Sequence, residues 1–149
     1  MSVEENVKLM RRWFKEVWNE RNTQTIHDLI APNATTIGQL EDGQPLHGSG
    51  EFAAFAERIL GAFSDIHFVV EDAFGAGDKV VARWSATMTH TGNHLGMPAT
   101  GKPVRLTGIS MVRVSGNQFV EGWDSWDQLG LMKQLGVYQA PNAALLKSA

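Results

Sequence analysis

The chain has 149 residues, of which 43% are hydrophobic and 19% are charged, with a formal net charge of -3 and no cysteine. These values indicate one soluble globular domain spanning 1–149, and they exclude disulfides and thiolate metal ligands. The 13 Lys and Arg residues are scattered along an acidic chain, which disfavours nucleic acid as a partner. No secretory signal is recognised, and no apolar run approaches the roughly 20 residues of a membrane span, so we expect a cytoplasmic protein without membrane contact.

The first half of the chain has the patterns of helices and loop. Apolar residues recur at spacings of three and four in 6–19 and again, as a wider stripe, in 52–63, which predicts two amphipathic helices. A short helix is predicted at 24–30, closed by Pro32. The glycine-rich stretch 33–50 is interpreted as a loop that contains at most one short strand.

After residue 65 the apolar pattern alternates with a period of two, which predicts strands. Four are expected, at 66–74, 79–90, 104–114 and 119–127. A last helix at 129–135 ends at Gly136, and the tail beyond Pro141 is expected to fray. Helices followed by antiparallel strands predict an α+β fold, in which helices cover one face of a curved sheet and enclose a pocket.

Strand parity predicts which side chains face that pocket. In 79–90, the inward set includes Trp84 and Met88, and it ends with His90. Asp124 has inward parity in 119–127, among apolar residues. The opposite face carries Ile109, Met111, Phe119 and Trp123. This is too much apolar surface for a monomer, so we expect a homodimer through that face.

Asp124 is the main candidate catalytic residue, because an ionised carboxylate on an apolar wall is unfavourable unless it is paired or hydrogen-bonded. Burial raises the pKa of a carboxyl group, and a pKa near neutrality suits a general acid or base. The alternative is a structural Asp124 that bonds a backbone amide or a tryptophan N–H. Asp127 has the opposite parity and is interpreted as a turn or helix-capping residue.

His90 is the second catalytic candidate. Its inward parity suggests that it reaches the same pocket, where it would share a proton, orient a substrate or polarise a carbonyl. The alternative is an ordinary hydrogen-bonded histidine at a strand end. His94 has a spacing from His90 that binds zinc only on a helix, and Gly92 argues against a helix, so no metal site is predicted. No glycine-rich loop joins a strand to a helix, so no nucleotide cofactor is indicated.

A set of large side chains is expected to line the pocket and to hold a flat, apolar ligand. Its members are Phe14, Trp18, Phe55, Trp84, Met88 and Trp126. Ordinary core packing is the alternative for each of them. Ser110, on the inward face of 104–114, is expected to bind substrate or hold a water.

Three motifs are specific in combination: THTG at 89–92, GMPATG at 96–101, and WDSWD at 123–127 with QLG at 134–136. With them, residues 6–136 resemble the SnoaL-like polyketide cyclase family of the NTF2-like superfamily. The resemblance implies a bent antiparallel sheet that forms a cone around a deep pocket behind three helices. It also implies a homodimer and no cofactor.

The resemblance further implies residue roles. In antibiotic-pathway cyclases of this family, an aspartate on the last long strand acts as general acid and base for an intramolecular aldol ring closure, and Asp124 matches it. His90 matches a histidine common in the family. The chain departs from the family at Ser110, where a histidine is expected, and at Thr36, where an asparagine is expected.

The implied function is a cofactor-independent acid/base enzyme acting on a small hydrophobic or aromatic carbonyl ligand. Asp124 would remove a proton from a carbon between two carbonyls, and His90, or a water held by Ser110, would donate to the enolate. Two alternatives remain open: an epoxide hydrolase or isomerase on the same fold, and a non-catalytic module that binds a small ligand.

Overall fold

Helices and strands alternate early in the chain before an uninterrupted run of four long strands. The computed structural model describes residues 2–138. The helices are α1 (Val3–Trp13), a π-helix (Phe14–Asn19), α2 (Gln24–Leu29), α3 (Gly48–Ala62) and α4 (Gln128–Leu135). The strands are β1 (Ile30–Ile37), β2 (Leu46–His47), β3 (His67–Ala76), β4 (Lys79–Thr89), β5 (Pro103–Ser115) and β6 (Gln118–Trp126). The predicted fraying beyond Pro141 concerns residues outside the described part.

The described strands form one six-stranded sheet in the order β2-β1-β6-β5-β4-β3. Neighbouring strands are antiparallel except β1 and β6, which are parallel. The prediction of four strands and of a loop over most of 33–50 is therefore wrong, because β1 has eight residues. The sequence pattern does not predict β1, because Pro32 and Asn33 disfavour strands. A register irregularity between Ile30 and Thr35 accommodates them at the pairing with β6.

The first predicted helix, 6–19, changes character halfway. It is α-helical up to Trp13, and the following six residues form the π-helix. Asn19, its last residue, donates to the carbonyl of Phe68 at 2.9 Å and accepts from the Phe68 N–H at 2.7 Å. These two bonds fasten the π-helix to the edge strand β3. π-Helical turns are rare in proteins, and many of those that occur lie at functional sites.

The helices pack on one face of the sheet, and the predicted parity of β4 and β5 is confirmed. Buried inward residues of β4 are Val80, Ala82, Trp84, Ala86 and Met88. On β6 the prediction fails for Phe119, which is buried rather than outward. Val114 pairs with Phe119 but Arg113 pairs with Glu121, so Val120 is an extra residue in the ladder. Such a bulge shifts the phase of the alternation.

The helices of residues 2–138 are short. The longest, α3, has 15 residues. None is long and apolar enough to cross a membrane.

Candidate active site

A cavity lies between the helices and the inward face of the sheet. Its free volume is about 100 Å³. A single bound water needs only about 10–15 Å³, so the space is large enough for an organic ligand. Its lining includes Trp13, Phe14 and Trp18 from the first two helical segments and Phe52 and Phe55 from α3. These aromatic walls suit a flat, apolar molecule.

Most of the predicted site residues line this cavity. They are Asp124, Phe14, Trp18, Phe55, Trp84, Ser110 and Trp126. Met88 does not: it is buried in the core on the inward face of β4, four positions beyond Trp84. The prediction that Met88 lines the pocket is therefore corrected. Strand parity predicts which face of the sheet a side chain occupies, but it does not predict how far along the strand the cavity extends. Four residues of strand span about 13 Å, which is enough to leave the cavity.

His90 also lies away from the cavity, just past the end of β4. It is fully buried, and its ring packs against Phe63 with centroids 5.6 Å apart. Its Nδ1 lies 2.9 Å from the Thr100 hydroxyl and accepts the Thr100 backbone N–H at 3.1 Å. The prediction that His90 reaches the pocket of Asp124 is therefore corrected. A hydrogen-bond donor to the substrate must therefore come from a residue other than His90.

Asp124 lies at the polar end of the cavity. It projects from β6 directly opposite Ser110 of β5. The Ser110 hydroxyl donates to one carboxylate oxygen, and the side-chain amide of Gln39 donates to the other. Burial raises the pKa of Asp124 to about 6, against the opposing effect of the hydrogen bonds from Ser110 and Gln39. A carboxylate with this pKa is mostly ionised at pH 7 and still accepts a proton readily, as a general base must.

Trp84 orients Ser110. The indole Nε1–H of Trp84 donates to the Ser110 oxygen at 3.0 Å, and both residues are buried. Because the oxygen accepts this bond, the hydroxyl hydrogen is free to point at Asp124. The indole lies over Gly108, where an added Cβ would be 2.3 Å from a ring carbon of Trp84. A glycine at 108 thus makes room for the chain of bonds from Trp84 through Ser110 to Asp124.

Sequence reasoning missed Gln39, which lies two positions beyond β1. Its loop crosses the backbone of Asp124 so closely that a Cβ at Gly38 would lie 1.8 Å from the Asp124 carbonyl oxygen. The Gly38 carbonyl accepts from Trp126 Nε1 at 2.9 Å and from the Gln128 amide at 3.1 Å. These bonds hold the loop in place. No sequence signal pairs Gln39 with an acid 85 positions away when β1 itself is not recognised.

Two other features concern titratable side chains: the role of Asp127 and the arrangement of possible metal ligands. Asp127 caps α4, since its carboxylate accepts the Gly130 N–H at 2.8 Å, and the capping prediction is confirmed. Within residues 2–138 no group of three or more His, Asp or Glu side chains is arranged to hold a metal ion.

Known proteins are similar to this chain in sequence and in fold. The sequence profile of the SnoaL-like polyketide cyclases matches residues 8–135. Two aklanonic acid methyl ester cyclases are each 30% identical over 131 residues, or 87% of this chain: DauD of Streptomyces sp. (strain C5), matched over 81% of its length, and DnrD of Streptomyces peucetius, matched over 90%.

A solved structure shares this fold. A protein from Jannaschia sp. CCS1, assigned to the SnoaL-like polyketide cyclases, superimposes with a TM-score of 0.81 at 23% identity. The superposition covers 91% of this chain and 94% of that one. The α+β architecture with a curved sheet is thus the NTF2-like cone that the sequence motifs imply. The chain belongs to the SnoaL-like polyketide cyclase family.

Proposed function

We propose that this protein closes a ring in an aromatic or otherwise hydrophobic carbonyl compound by an intramolecular aldol reaction, with Asp124 as the acid/base group. The observation that carries the proposal is the environment of its carboxylate. It faces an aromatic cavity, burial raises its pKa to about 6, and Ser110 and Gln39 hold its two oxygens. The similarity to aklanonic acid methyl ester cyclases supports a ring-closing reaction.

The reaction begins when the Asp124 carboxylate removes a proton from a carbon flanked by two carbonyls. The resulting enolate carbon attacks a third carbonyl of the same molecule, which forms a C–C bond and breaks the π bond of that C=O. The alkoxide then takes the proton back from Asp124. Atoms balance without any net proton or electron transfer, and the carboxylate returns to its starting state.

The donors around Asp124 assist both halves of this cycle. In the free protein they stabilise the carboxylate. When Asp124 is protonated, the negative charge passes to the enolate beside it, and the hydrogens of Ser110 and Gln39 remain close to that charge. Fixed donors near a developing charge need no reorganisation during the reaction.

The aromatic walls contribute positioning. An intramolecular aldol reaction requires the two reacting carbons to approach within about 3–3.5 Å. Trp18 and Phe14 on the π-helix, Phe55 of α3 and Trp84 of the sheet all line the cavity. A flat substrate packed against these rings is restricted to few conformations. This selects a folded chain in which the ring can close.

The proposal is tested with an aromatic β-dicarbonyl compound that carries a tethered ketone. Ring closure is followed by chromatography, and exchange of the acidic C–H in D₂O is followed by NMR. Asp124→Asn should abolish both activities, because an amide cannot take the proton. Proton transfer of this kind contributes roughly 100- to 10,000-fold in rate.

Asp127→Asn is the matched control. It makes the same chemical change three positions away, at an exposed residue, and asparagine caps a helix as well as aspartate does. It should retain full activity. Undiminished exchange and ring closure by Asp124→Asn would refute the catalytic role, and binding without any turnover by the unaltered protein would favour the ligand-binding module.

A further inference from the structure

Two side chains in the cavity wall beside Asp124 carry a buried oxygen that has no hydrogen-bond partner among residues 2–138. They are Oγ1 of Thr36 and Oε1 of Gln39. In the described part of the chain, two other buried side-chain atoms share this condition, on Asn6 and His90, and neither residue lines the cavity. Proteins pair nearly all of their buried polar atoms. Two exceptions in one wall of a cavity indicate a ligand group that pairs with them.

Thr36 and Gln39 are within reach of one bound molecule. Thr36 pairs with Gly122 across the parallel strands β1 and β6, and Asp124 follows on the same face two residues later, about 7 Å along the strand. Gln39 is bonded directly to Asp124 through its amide nitrogen. Thr36 is 8% exposed and Gln39 is 5% exposed. Both therefore belong to the dry wall that flanks the carboxylate.

We infer that Thr36 and Gln39 recognise a hydroxyl group of the substrate, next to the carbon that Asp124 deprotonates; this rests on the proposed function. The Gln39 amide nitrogen is committed to Asp124, and the amide oxygen can only accept, so it requires an O–H or N–H donor. The Thr36 hydroxyl both donates and accepts, so it pairs with the oxygen of the same ligand group. Rotation about one side-chain bond turns the Thr36 oxygen between staggered positions along the wall.

The substrate class is thereby narrowed. A ketone flanked only by hydrocarbon accepts a hydrogen bond from Thr36 but leaves the Gln39 oxygen unpaired. A carbonyl compound with a neighbouring phenol, enol or alcohol pairs both oxygens. A site built to bond a hydroxyl discriminates against the analogue that lacks the donor, because its own polar groups are then left buried and unpaired.

The test compares the binding of two probes of nearly equal shape, 2-naphthol and 2-methoxynaphthalene, by calorimetry at pH 8. The unaltered protein should bind the naphthol roughly fivefold more tightly, as one additional hydrogen bond implies. Gln39→Met keeps the size of the side chain but removes the whole amide, and Thr36→Val removes only the hydroxyl. Gln39→Met should reduce the preference to less than about twofold, because the O–H then has no acceptor, while Asp124→Asn should retain it. Thr36→Val should bind both probes more weakly, because the oxygen of each probe accepts from the Thr36 hydroxyl, and Thr36→Ser should bind both as the unaltered protein does.

Several results separate this inference from its competitors. The affinity of Gln39→Met for 2-methoxynaphthalene, which has no donor, reports whether the cavity of that variant is intact, and Thr36→Ser is the matched control for Thr36→Val. Equal binding of the two probes by the unaltered protein would overturn the inference, as would a preference that survives Gln39→Met or an unchanged affinity of Thr36→Val for both probes. A preference lost only in Asp124→Asn would show that the hydroxyl binds the carboxylate instead. Because binding involves no turnover, failure here is distinct from failure of the proposed catalysis.

Discussion

Ser110 and Asp124 oppose each other directly across β5 and β6, and the serine hydroxyl donates to the aspartate carboxylate. Trp84, on the next strand β4, donates in turn to the serine oxygen at 3.0 Å. Three adjacent strands thus supply one residue each to a single line of hydrogen bonds. The family resemblance implies a histidine at the position of Ser110, and in this chain a serine with an indole behind it supplies the donor.

Removing the serine hydroxyl should raise the pKa of Asp124 above about 6, because its hydrogen bond acts against the effect of burial. A hydrogen bond to a charged group contributes about 1.5–3 kcal/mol, which corresponds to roughly one to two pH units. In Ser110→Ala, the midpoint of activity against pH should therefore move upward by about that much. A ring-closure profile from pH 4 to 9 measures it. An unchanged midpoint would mean that Ser110 does not stabilise the ionised acid.

Trp84→Phe should move the same midpoint in the same direction by a smaller amount. Phenylalanine keeps an aromatic ring in the wall but lacks the N–H that fixes the serine hydroxyl. The effect must pass through Ser110, so Trp84→Phe should leave the midpoint unchanged when it is combined with Ser110→Ala. A purely structural role for the indole predicts loss of stability without this dependence. Equal shifts in the two backgrounds would contradict the proposed line of bonds.

Asp124→Asn should stabilise the protein at neutral pH although it removes the catalytic group. The Asp124 carboxyl has a pKa of about 6 in the folded protein against a model value of 3.8. The folded state thus binds the proton more tightly, and this contribution to stability is present below pH 4 and is lost as the pH rises through 6. Between pH 4 and pH 6, the free energy of unfolding of Asp124→Asn should therefore rise relative to that of the unaltered protein, by on the order of 3 kcal/mol at most.

Urea unfolding at pH 4, 5, 6 and 8 measures this difference. Asp127→Asn controls for the same substitution at an exposed helix cap. A stability difference between Asp124→Asn and the unaltered protein that does not grow with pH would show that the carboxylate is not destabilised by burial.

Strand parity alone was enough to place Asp124, Trp84 and Ser110 on the inward face. Each lies in a long strand whose apolar residues alternate, and that alternation reflects burial of one face. Parity fails where the geometry is not regular. The bulge at Val120 turns Phe119 inward, contrary to the sequence pattern.

Other parts of the site depend on contacts between distant segments. His90 has the correct parity, but the end of β4 lies beyond the cavity, and no local pattern reports that distance. Gln39 reaches Asp124 only because β1 pairs in parallel with β6, and the Pro32 and Asn33 in β1 conceal the strand. Its pairing is decided by tertiary packing rather than by propensity.

Gly38→Ala should displace the loop that carries Gln39. Gly38 has φ of +107° and lies so close to Asp124 that an added Cβ would be 1.8 Å from the Asp124 carbonyl oxygen. Gly43→Ala is the matched control, since Gly43 also has a positive φ, +75°, but has no atom within 4 Å of the added Cβ. Both variants place a side chain at a positive φ, which costs at least about 1–2 kcal/mol of backbone strain.

Only Gly38→Ala adds a steric clash. It should therefore lose at least about 2 kcal/mol more stability than Gly43→Ala in urea unfolding, and its activity should fall as Gln39 leaves the carboxylate. Equal losses in the two variants would show that the loop tolerates a side chain against β6.

The outward face of the sheet carries an unbroken apolar row. Strand register aligns Ile37, Trp123, Met111, Val81 and Phe74 side by side across five strands. Ile37 is 42% exposed and Phe74 is 59% exposed. We propose that a second copy of the chain covers this row, because a two-fold axis through its centre pairs an apolar surface with itself.

Light scattering should then give twice the chain mass of 16.4 kDa. Met111→Lys places a charge at the middle of the row and should give the mass of one chain. Leu129→Lys introduces the same charge at an exposed leucine of α4, outside the row, and should leave the mass unchanged. A single-chain mass for the unaltered protein, or a double mass for Met111→Lys, would contradict association through this face. Burying an unpaired lysine ammonium at an apolar interface is far more unfavourable than exposing it on a helix, which is why the two substitutions should separate.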